Sequence, residues 1–137
     1  MKPPAVAFWA FHVAGVPITQ GSMVAFPSRD GKRVVVKHDK HDALKAWRLA
    51  IGVAARAAGM RELPCPIAIE ATFWLPRPSR PTHQYPVGDV DKLGRALLDA
   101  LSHIAYLDDS QVVSLNVRKG YAETFPTGVD VTVQSLA

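Results

Sequence analysis

Four aspartates in the second half of the chain carry side chains suited to metal-dependent chemistry. Asp89 and Asp91 lie in the run GDVDKLGRALLDAL, and Asp108 and Asp109 lie in the later run YLDDSQVV. Hard carboxylate oxygens with few nitrogen ligands select Mg²⁺ or Mn²⁺ over zinc. Such an ion can lower the pKa of a bound water and offset charge on a phosphodiester oxygen during in-line attack. If the four carboxylates converge, the sequence predicts a magnesium site.

Arg95 adds a cation to this set. It lies four residues beyond Asp91, and this spacing places both side chains on the same face of a helix. A guanidinium at this position would stabilise the extra negative charge of a transition state at phosphorus. Because arginine keeps its proton, we expect Arg95 to act by its charge and not as a general acid.

A structural interpretation of the same residues stays open at this point. Asp89 would cap a helix, and Asp91 would favour the positive end of the helix dipole. Asp91, Arg95 and Asp99 would form successive ion pairs four residues apart, and the later pair of aspartates would be turn residues before a strand. A helix of about fourteen residues is roughly 21 Å long. The chain must therefore return along this helix before the two pairs can meet.

Hydrophobic patterning predicts the elements that position these residues. Alternating apolar residues predict strands, and apolar residues three and four apart predict helices. Asp30-Gly31 predicts a hairpin turn, because both positions tolerate positive φ. In chain order we expect a strand over 5–13, a hairpin of 23–26 and 33–37, a helix over 41–58 ended by Gly59, a strand over 66–75, a proline-rich irregular loop over 76–88, a helix from Asp89 through about Ile104, and strands over 112–117 and 129–133.

The order of these elements predicts the fold class α+β. We expect a single domain over 1–137, built as a two-layer sandwich in which a mixed β-sheet is packed by two main helices. The apolar positions that support this interpretation are Ala7, Trp9, Phe11, Val13, Leu44, Trp47, Ile51, Ala54, Ala55, Ile67, Ile69, Ala71, Phe73, Leu93, Leu97, Leu101, Ile104, Val113, Leu115 and Val117.

Length and composition exclude several classes of protein. The chain has 137 residues, 48% of them hydrophobic, with one Cys and a net charge of +4. A chain of this length can bury a core without disulfides, and disordered, collagen-like and disulfide-scaffold proteins are excluded. The uncharged run 5–16 imitates a signal peptide, but prolines precede it and His12 interrupts it. We therefore expect a cytoplasmic protein without a membrane span, with Cys65 in its core.

The two acidic runs resemble the signature of the RusA family of Holliday junction resolvases. That motif runs D-x-D-N-L-x-K, then D-A-L, then D-D-x-Q-V, and the strong resemblance covers about a fifth of the chain. Lys92 stands where the family often has Asn, and Arg95 stands where it has a catalytic Lys. The gap of eighteen residues from Asp91 to Asp109 agrees with the motif. Beyond the acids, the residues in register are Leu93, Asp99, Ala100, Leu101, Gln111 and Val112.

The resemblance implies a Mg²⁺-dependent, structure-selective endodeoxyribonuclease that resolves four-way DNA junctions by paired symmetric nicks, in recombination and repair. Asp89, Asp91 and Asp109 would hold the ion, for which Mn²⁺ is an alternative, with Asp108 beside them and Arg95 as the catalytic cation. Cutting two symmetry-related strands calls for a homodimer. A phage or prophage origin is a further expectation from the family.

A protein that binds four-way DNA needs a basic surface for the phosphates of diverging arms, and little contact with base edges. The excess of Lys and Arg over Asp and Glu is compatible with such a partner. The basic residues expected to contact DNA are Arg29, Lys32, Arg33, Lys37, Lys45, Arg48, Arg77, Arg80, Lys92, Arg118 and Lys119.

Two other functions stay open at the level of the sequence. The chain would be a non-catalytic basic DNA-binding module if the aspartates are helix caps and turn residues. It would be a nuclease for flaps and other branched phage DNA if the same metal site cuts any phosphodiester presented to it. Metal dependence separates the first alternative from a resolvase, and comparison of DNA substrates separates the second.

Overall fold

The computed structural model describes residues 7–21, 23–27, 29–32, 34–38 and 41–136, with the backbone alone described for 23–27 and 34–38. The elements follow the predicted order. They are β1 (Phe8–Ala14), β2 (Met23–Pro27), β3 (Val34–His38), α1 (His41–Ala57), β4 (Ile67–Pro76), α2 (Val90–Leu101), a 3₁₀ turn (Asp109–Gln111), β5 (Val112–Ala122) and β6 (Gly128–Ser135).

The sheet is mixed, as the sequence predicts. Its four strands have the order β1-β6-β4-β5, in which β4 and β5 are parallel and β6 is antiparallel to both β1 and β4. Parallel neighbours need a crossover connection, and α2 supplies it between β4 and β5. The hairpin of β2 and β3 forms a separate two-stranded sheet.

Both helices cover one face of the sheet, and the core lies between these two layers. On β4 the inward residues Ile67, Ile69, Ala71 and Phe73 are buried, as predicted, and they join one cluster with the apolar faces of α1 and α2. The alternate positions of β4, such as Glu70, face the opposite side and are more exposed. The fold is therefore the expected two-layer α+β sandwich.

The strand β5 differs from the prediction in length and burial. It continues to Ala122, and it is an edge strand of the sheet. Val113 is 63% exposed and Leu115 is 44% exposed. The helix α2 approaches β5 closely at Gly94, where an added Cβ would lie 3.3 Å from Val117 and 3.8 Å from Leu115. Val113 lies before this contact and Leu115 lies at its margin, and β5 has no strand on its outer side, so both side chains stay partly uncovered.

Two further expectations concern helix length and membrane spans. The helix α2 ends at Leu101, earlier than predicted, because His103 adopts a positive φ of 66°. Ile104 is nevertheless buried, since the turn that follows returns it to the core. Cys65 is a free cysteine, partly buried against that core. None of the helices within the described residues is long and apolar enough to cross a membrane.

Asp130 joins three strands on the open face of the sheet. Its Oδ1 lies 2.8 Å from His12 Nδ1 on β1, and its Oδ2 accepts a hydrogen bond of 2.9 Å from Trp74 Nε1 on β4. Partial burial opposes ionisation, but the hydrogen bonds from Trp74 and His12 outweigh it, so the pKa of the Asp130 carboxyl lies below its usual value. This cluster ties β1, β6 and β4 together across the sheet.

We expect Gly128→Ala to lower the free energy of unfolding by about 3 kcal/mol or more. Gly128 has a φ of +153°, and a Cβ there would lie 2.2 Å from the Val13 carbonyl oxygen. Because the obstacle is backbone, it cannot move aside cheaply. Urea denaturation followed by tryptophan fluorescence measures the effect. Gly59→Ala is the control, since its φ is +85° with no neighbouring atom within 4 Å, and it should cost about 1 kcal/mol. Equal losses in both variants would contradict the clash.

Candidate active site

The first turn of α2 presents two carboxylates to solvent. Asp89 is the N-cap residue with φ −74° and ψ 130°, and its carbonyl accepts the hydrogen bond of Leu93 N at 3.0 Å. Its side chain makes no capping hydrogen bond and is 66% exposed, with Oδ2 at 3.4 Å from Lys92 Nζ. Asp91 follows in the first turn and is also exposed. The predicted cap position is thus confirmed, while the carboxylate of Asp89 stays available for a ligand.

Side chains from β5 hold the proline-rich loop that leads into this turn. Lys119 Nζ donates hydrogen bonds to Pro86 O at 2.9 Å and Gly88 O at 2.6 Å. The Tyr121 hydroxyl lies within hydrogen-bond distance of two carbonyl oxygens of the loop, at 2.8 Å from Tyr85 O and 3.1 Å from His83 O. The loop 77–88 contains neither helix nor strand, so these contacts fix its course. Lys119, which the sequence assigned to DNA contact, therefore also binds two carbonyl oxygens of the loop.

The segment 16–21, called the strap below, crosses the face of α2 that carries Arg95. Gln20 N donates to Lys92 O at 3.0 Å, and Gln20 Nε2 donates to Asp99 Oδ2. Gly21 has a φ of +97°, and a Cβ there would lie 2.9 Å from Arg95 Nη1. The strap thus lies directly against the Arg95 guanidinium, and the positive φ of Gly21 is a conformation that favours glycine.

Asp99 is bound by the strap and not by Arg95. Among the described side chains, the ion pairs found are His12–Asp130, Arg77–Glu123 and Lys92–Asp89. The successive pairing of Asp91, Arg95 and Asp99 that the structural interpretation predicts is not among them. The Arg95 guanidinium is consequently not neutralised by an acid on its own helix.

Asp108 and Asp109 begin the 3₁₀ turn before β5. Asp108 Oδ1 accepts from Ser110 N at 2.9 Å, which is the turn role of the structural interpretation. Gln111 completes a capping box and also donates from Nε2 to Leu63 O at 2.7 Å and Cys65 O at 3.1 Å. The acidic pair is therefore held in place by Gln111, which anchors the turn to the loop before β4.

The two neighbouring carboxyls have opposite pKa shifts. The backbone N–H of Ser110 lowers the pKa of Asp108. The hydrogen bond with Asp108 raises the pKa of Asp109, and burial and the charges of Asp108 and Asp99 add to this. The buried Tyr106 donates to Leu98 O at 2.6 Å, and burial together with the charges of Asp109 and Asp99 raises the pKa of its hydroxyl. The charge of Asp99 thus raises the pKa of both Asp109 and Tyr106.

The four predicted ligands form two groups in one chain. The strand β5 runs back along α2. Lys119, in the second half of β5, therefore binds Gly88 before the start of α2, whereas Asp109, before the start of β5, is affected by the charge of Asp99 near the end of α2. Ten residues of largely extended chain separate Asp109 from Lys119, which is roughly 30 Å. Asp89 and Asp91 accordingly lie at the carboxyl ends of the parallel strands β4 and β5, and Asp109 lies at the amino ends of these strands. No group of three or more His, Cys, Asp or Glu within the described residues is arranged to hold a metal ion.

The predicted basic contacts are spread over several elements. Arg29 and Lys32 are exposed in the β2–β3 turn, and Arg80 and Arg118 are exposed on the loop and on β5. Lys45 and Arg48 line a cleft between α1 and α2. Arg77 lies 3.9 Å from Glu123, and Lys92 lies near Asp89. Arg33 lies outside the described residues, as does the side chain of Lys37.

A sequence model of a protein family, described as endodeoxyribonuclease RusA, matches residues 25–134. The chain belongs to the RusA family. The matched span contains both acidic pairs, Arg95, both helices and the proline-rich loop. The family resemblance predicted from two motifs is confirmed.

The match to a curated relative covers much less of the chain than the family match does. It is "Uncharacterized protein YqaN" from Bacillus subtilis (strain 168), 54% identical over 35 residues. That stretch is 26% of this chain and 25% of YqaN, so the chain matches about a quarter of the length of that relative. Its name describes no activity.

Two residues that contact the candidate site, Gln20 and Tyr121, were missed at the level of sequence, and Lys119 has a contact beyond the DNA contact expected of it. Gln20 binds Asp99 from the strap, which lies before the span matched to the family. Lys119 was assigned to DNA, and Tyr121 was not singled out. A glutamine followed by glycine, close after Pro17, is a weak signal for the strap. The other two contacts join residues more than thirty positions apart, for which the pattern of the sequence carries no signal.

Proposed function

We propose that this RusA family member is a Mg²⁺-dependent, structure-selective endonuclease that resolves four-way DNA junctions by paired symmetric nicks, in DNA recombination and repair. The observation that carries the proposal is the pair of exposed carboxylates on the first turn of α2, within the span matched to an endodeoxyribonuclease family. Ligands of open sheets with parallel strands bind outside the carboxyl ends of those strands, which is where this turn lies.

The donor set fits Mg²⁺ in kind. Asp89, Asp91, Asp108 and Asp109 all supply hard oxygen ligands, and Mn²⁺ accepts the same set. The hydrogen bond with Asp108, then burial and the charges of Asp108 and Asp99, raise the pKa of Asp109, and a bound cation would offset the part due to these charges. A bound divalent ion supplies an activated water and offsets charge on the phosphodiester. Asp89, Asp91 and Asp109 would hold it, with Asp108 adjacent.

The cations near the first turn of α2 would act on the DNA phosphate. Arg95 has no acid paired to it on α2, and its guanidinium lies next to Gly21 of the strap. A preorganised guanidinium stabilises negative charge on a phosphoryl oxygen without reorganising during the reaction. Lys92 neutralises part of the charge of Asp89 and would guide the phosphate towards the two carboxylates.

A homodimer would bring the two acidic groups together. Asp109 lies at the amino ends of β4 and β5, whereas Asp89 and Asp91 lie at their carboxyl ends. A site that uses all three therefore needs Asp109 from a second copy. The edge strand β5 offers a surface for this pairing, since Val113 and Leu115 are exposed apolar residues on it. Antiparallel pairing of two β5 strands about Ser114 would bring Asp109 of one copy to the level of Lys119 of the other. Lys119 binds the carbonyl immediately before Asp89.

The exposed basic residues would bind the arms of the junction. Arg29 and Lys32 in the hairpin turn, and Arg80 in the loop, are free to contact phosphates on diverging arms. Lys45 and Arg48 line the cleft between the helices, which ends at Asp99. Contacts of this kind select DNA by shape and not by base sequence.

Cleavage of a labelled four-way junction, a flap and a duplex of matched sequence tests the proposal. Paired symmetric nicks in the junction that require Mg²⁺ or Mn²⁺ and vanish with EDTA are expected. Equal cutting of the flap would leave the nuclease and remove the selectivity for junctions. Junction binding without cutting in either metal would establish the non-catalytic DNA-binding module instead.

Arg95→Ala should slow cleavage by about 10²- to 10³-fold, because one preorganised partner of the transition-state charge is lost. Arg95→Lys should recover part of this loss, since the positive charge remains. Single-turnover rates with protein in excess over a labelled junction measure the effect apart from DNA affinity. Arg61→Ala, which removes an exposed arginine outside the cleft between the helices, is the control. Equal rates for the two alanine variants would remove Arg95 from the reaction.

A further inference from the structure

A cavity of about 460 Å³ lies beside the first turn of α2. Its walls come from the strap, the carboxyl end of β4, the proline-rich loop and Tyr121 near the end of β5. Gly88 forms part of the wall, and the next residue is Asp89. The cavity therefore borders the candidate site for phosphodiester cleavage.

The lining of this cavity is apolar and uncharged. Prolines and aliphatic side chains dominate it, including Pro17, Ile18, Leu75 and Pro86, and the described residues that line it include no Asp, Glu, Lys or Arg. Such a surface does not favour a phosphate or another charged ligand. It favours a flat, neutral ring with polar edges, for which Thr82 and His83 at the wall offer hydrogen bonds.

The rim of the cavity is exposed and apolar, yet its backbone is fixed. Val87 is 76% exposed and Val16 is 50% exposed. The loop that bears Val87 is held by Lys119 and Tyr121 through their hydrogen bonds to its carbonyls. The His83 and Tyr85 rings stack at 5.2 Å, which orders the loop further. A concave apolar surface that is already ordered binds its ligand without the entropic cost of forming the site.

We propose that this cavity binds a nucleobase of the nucleotide next to the phosphate placed at Asp89 and Asp91. The inference rests on the proposed function, since it assumes DNA at the first turn of α2. One nucleotide carries a phosphate and a neutral aromatic base, and the acidic turn beside an apolar cavity matches those two parts. Bases at a branch point are less well stacked than in a duplex, so moving one into a cavity costs less there. The cavity would thus favour branched DNA and make cutting depend on the base bound.

A junction with a single abasic nucleotide, placed in turn at each position around the cut, tests this inference. Binding in EDTA and cutting in Mg²⁺ are both measured. At one position, loss of the base should weaken binding by about 5- to 100-fold, in line with the contribution of one stacked base. Thr82→Trp would fill the cavity, because Thr82 is an exposed residue of its wall. It should weaken binding of the intact junction and abolish the effect of the abasic position.

Ser79→Trp is the matched control, since Ser79 lies in the same exposed loop but outside the cavity wall. It should bind and cut as the unmodified protein does. Equal affinity for every abasic junction and the intact one, or equal behaviour of the two tryptophan variants, would overturn the inference while cutting of the junction persists. Failure to cut any junction would overturn the proposed function, whereas the position-dependent binding in EDTA would still support the cavity as a base site.

Discussion

Asp91→Asn should reduce Mg²⁺-dependent cutting of a four-way junction by on the order of 10²- to 10³-fold or more. The amide keeps the size of the side chain but removes the negative charge that would hold the ion. Asp91 is exposed on the first turn of α2, so the substitution creates no cavity in the core. Nicks in a labelled junction, counted over time at saturating Mg²⁺, measure the loss.

Asp42→Asn is the matched control for this substitution. Asp42 is likewise an exposed acid in the first turn of a helix, α1. Each change removes a favourable charge at the positive end of a helix, and each should cost about 0.3–1 kcal/mol of stability. If Asp91→Asn cuts as fast as Asp42→Asn, Asp91 does not hold the ion and the metal site lies elsewhere.

Co-expression of Asp91→Asn and Asp109→Asn chains should restore cutting that neither variant shows alone. In the proposed dimer each site takes Asp89 and Asp91 from one copy and Asp109 from the other. A mixed dimer then keeps one intact site and carries both substitutions in the second. With random pairing, about a quarter of the wild-type sites are intact. The products should be single nicks, because only one strand of each bound junction is cut.

The control for this experiment pairs Asp91→Asn with Asp89→Asn. These substitutions affect the same end of α2, so neither site of a mixed dimer is intact and no activity should return. Two different affinity tags isolate the mixed dimers before the assay. Isolated mixed dimers of Asp91→Asn and Asp109→Asn that stay inactive would contradict a shared site. Their failure to form at all would contradict the dimer itself.

Local patterns were sufficient to predict the elements and the inward faces. The alternation of Ile67, Ile69, Ala71 and Phe73 predicted a strand buried on one face, and β4 has that pattern. The spacing of Leu93, Leu97 and Leu101 predicted the apolar face of α2. These features depend on periods of two and 3.6 residues, which are properties of neighbouring positions. The end of α2 at Leu101 was less predictable, since apolar spacing continues to Ile104 while the backbone leaves the helix.

The burial of β5 could not be predicted from such patterns. Val113, Leu115 and Val117 alternate as a buried strand would, but the first two are substantially exposed. Whether an apolar side chain is covered depends on the neighbour that the topology provides. Here β5 is an edge strand, and α2 reaches it near Gly94 and not at its start.

By itself, the sequence determined the order of the elements, the two acidic pairs and the RusA motif, because each lies within a short run of residues. The tertiary structure decided which of these residues are neighbours. The strand β5 returns along α2, which leaves Asp109 within the electrostatic range of Asp99 and brings Lys119 to Gly88. The strap places Gln20 on Asp99 and Gly21 beneath Arg95. Such contacts join positions far apart in the chain, and they follow from how the helices pack on the sheet, which no local period of the sequence encodes.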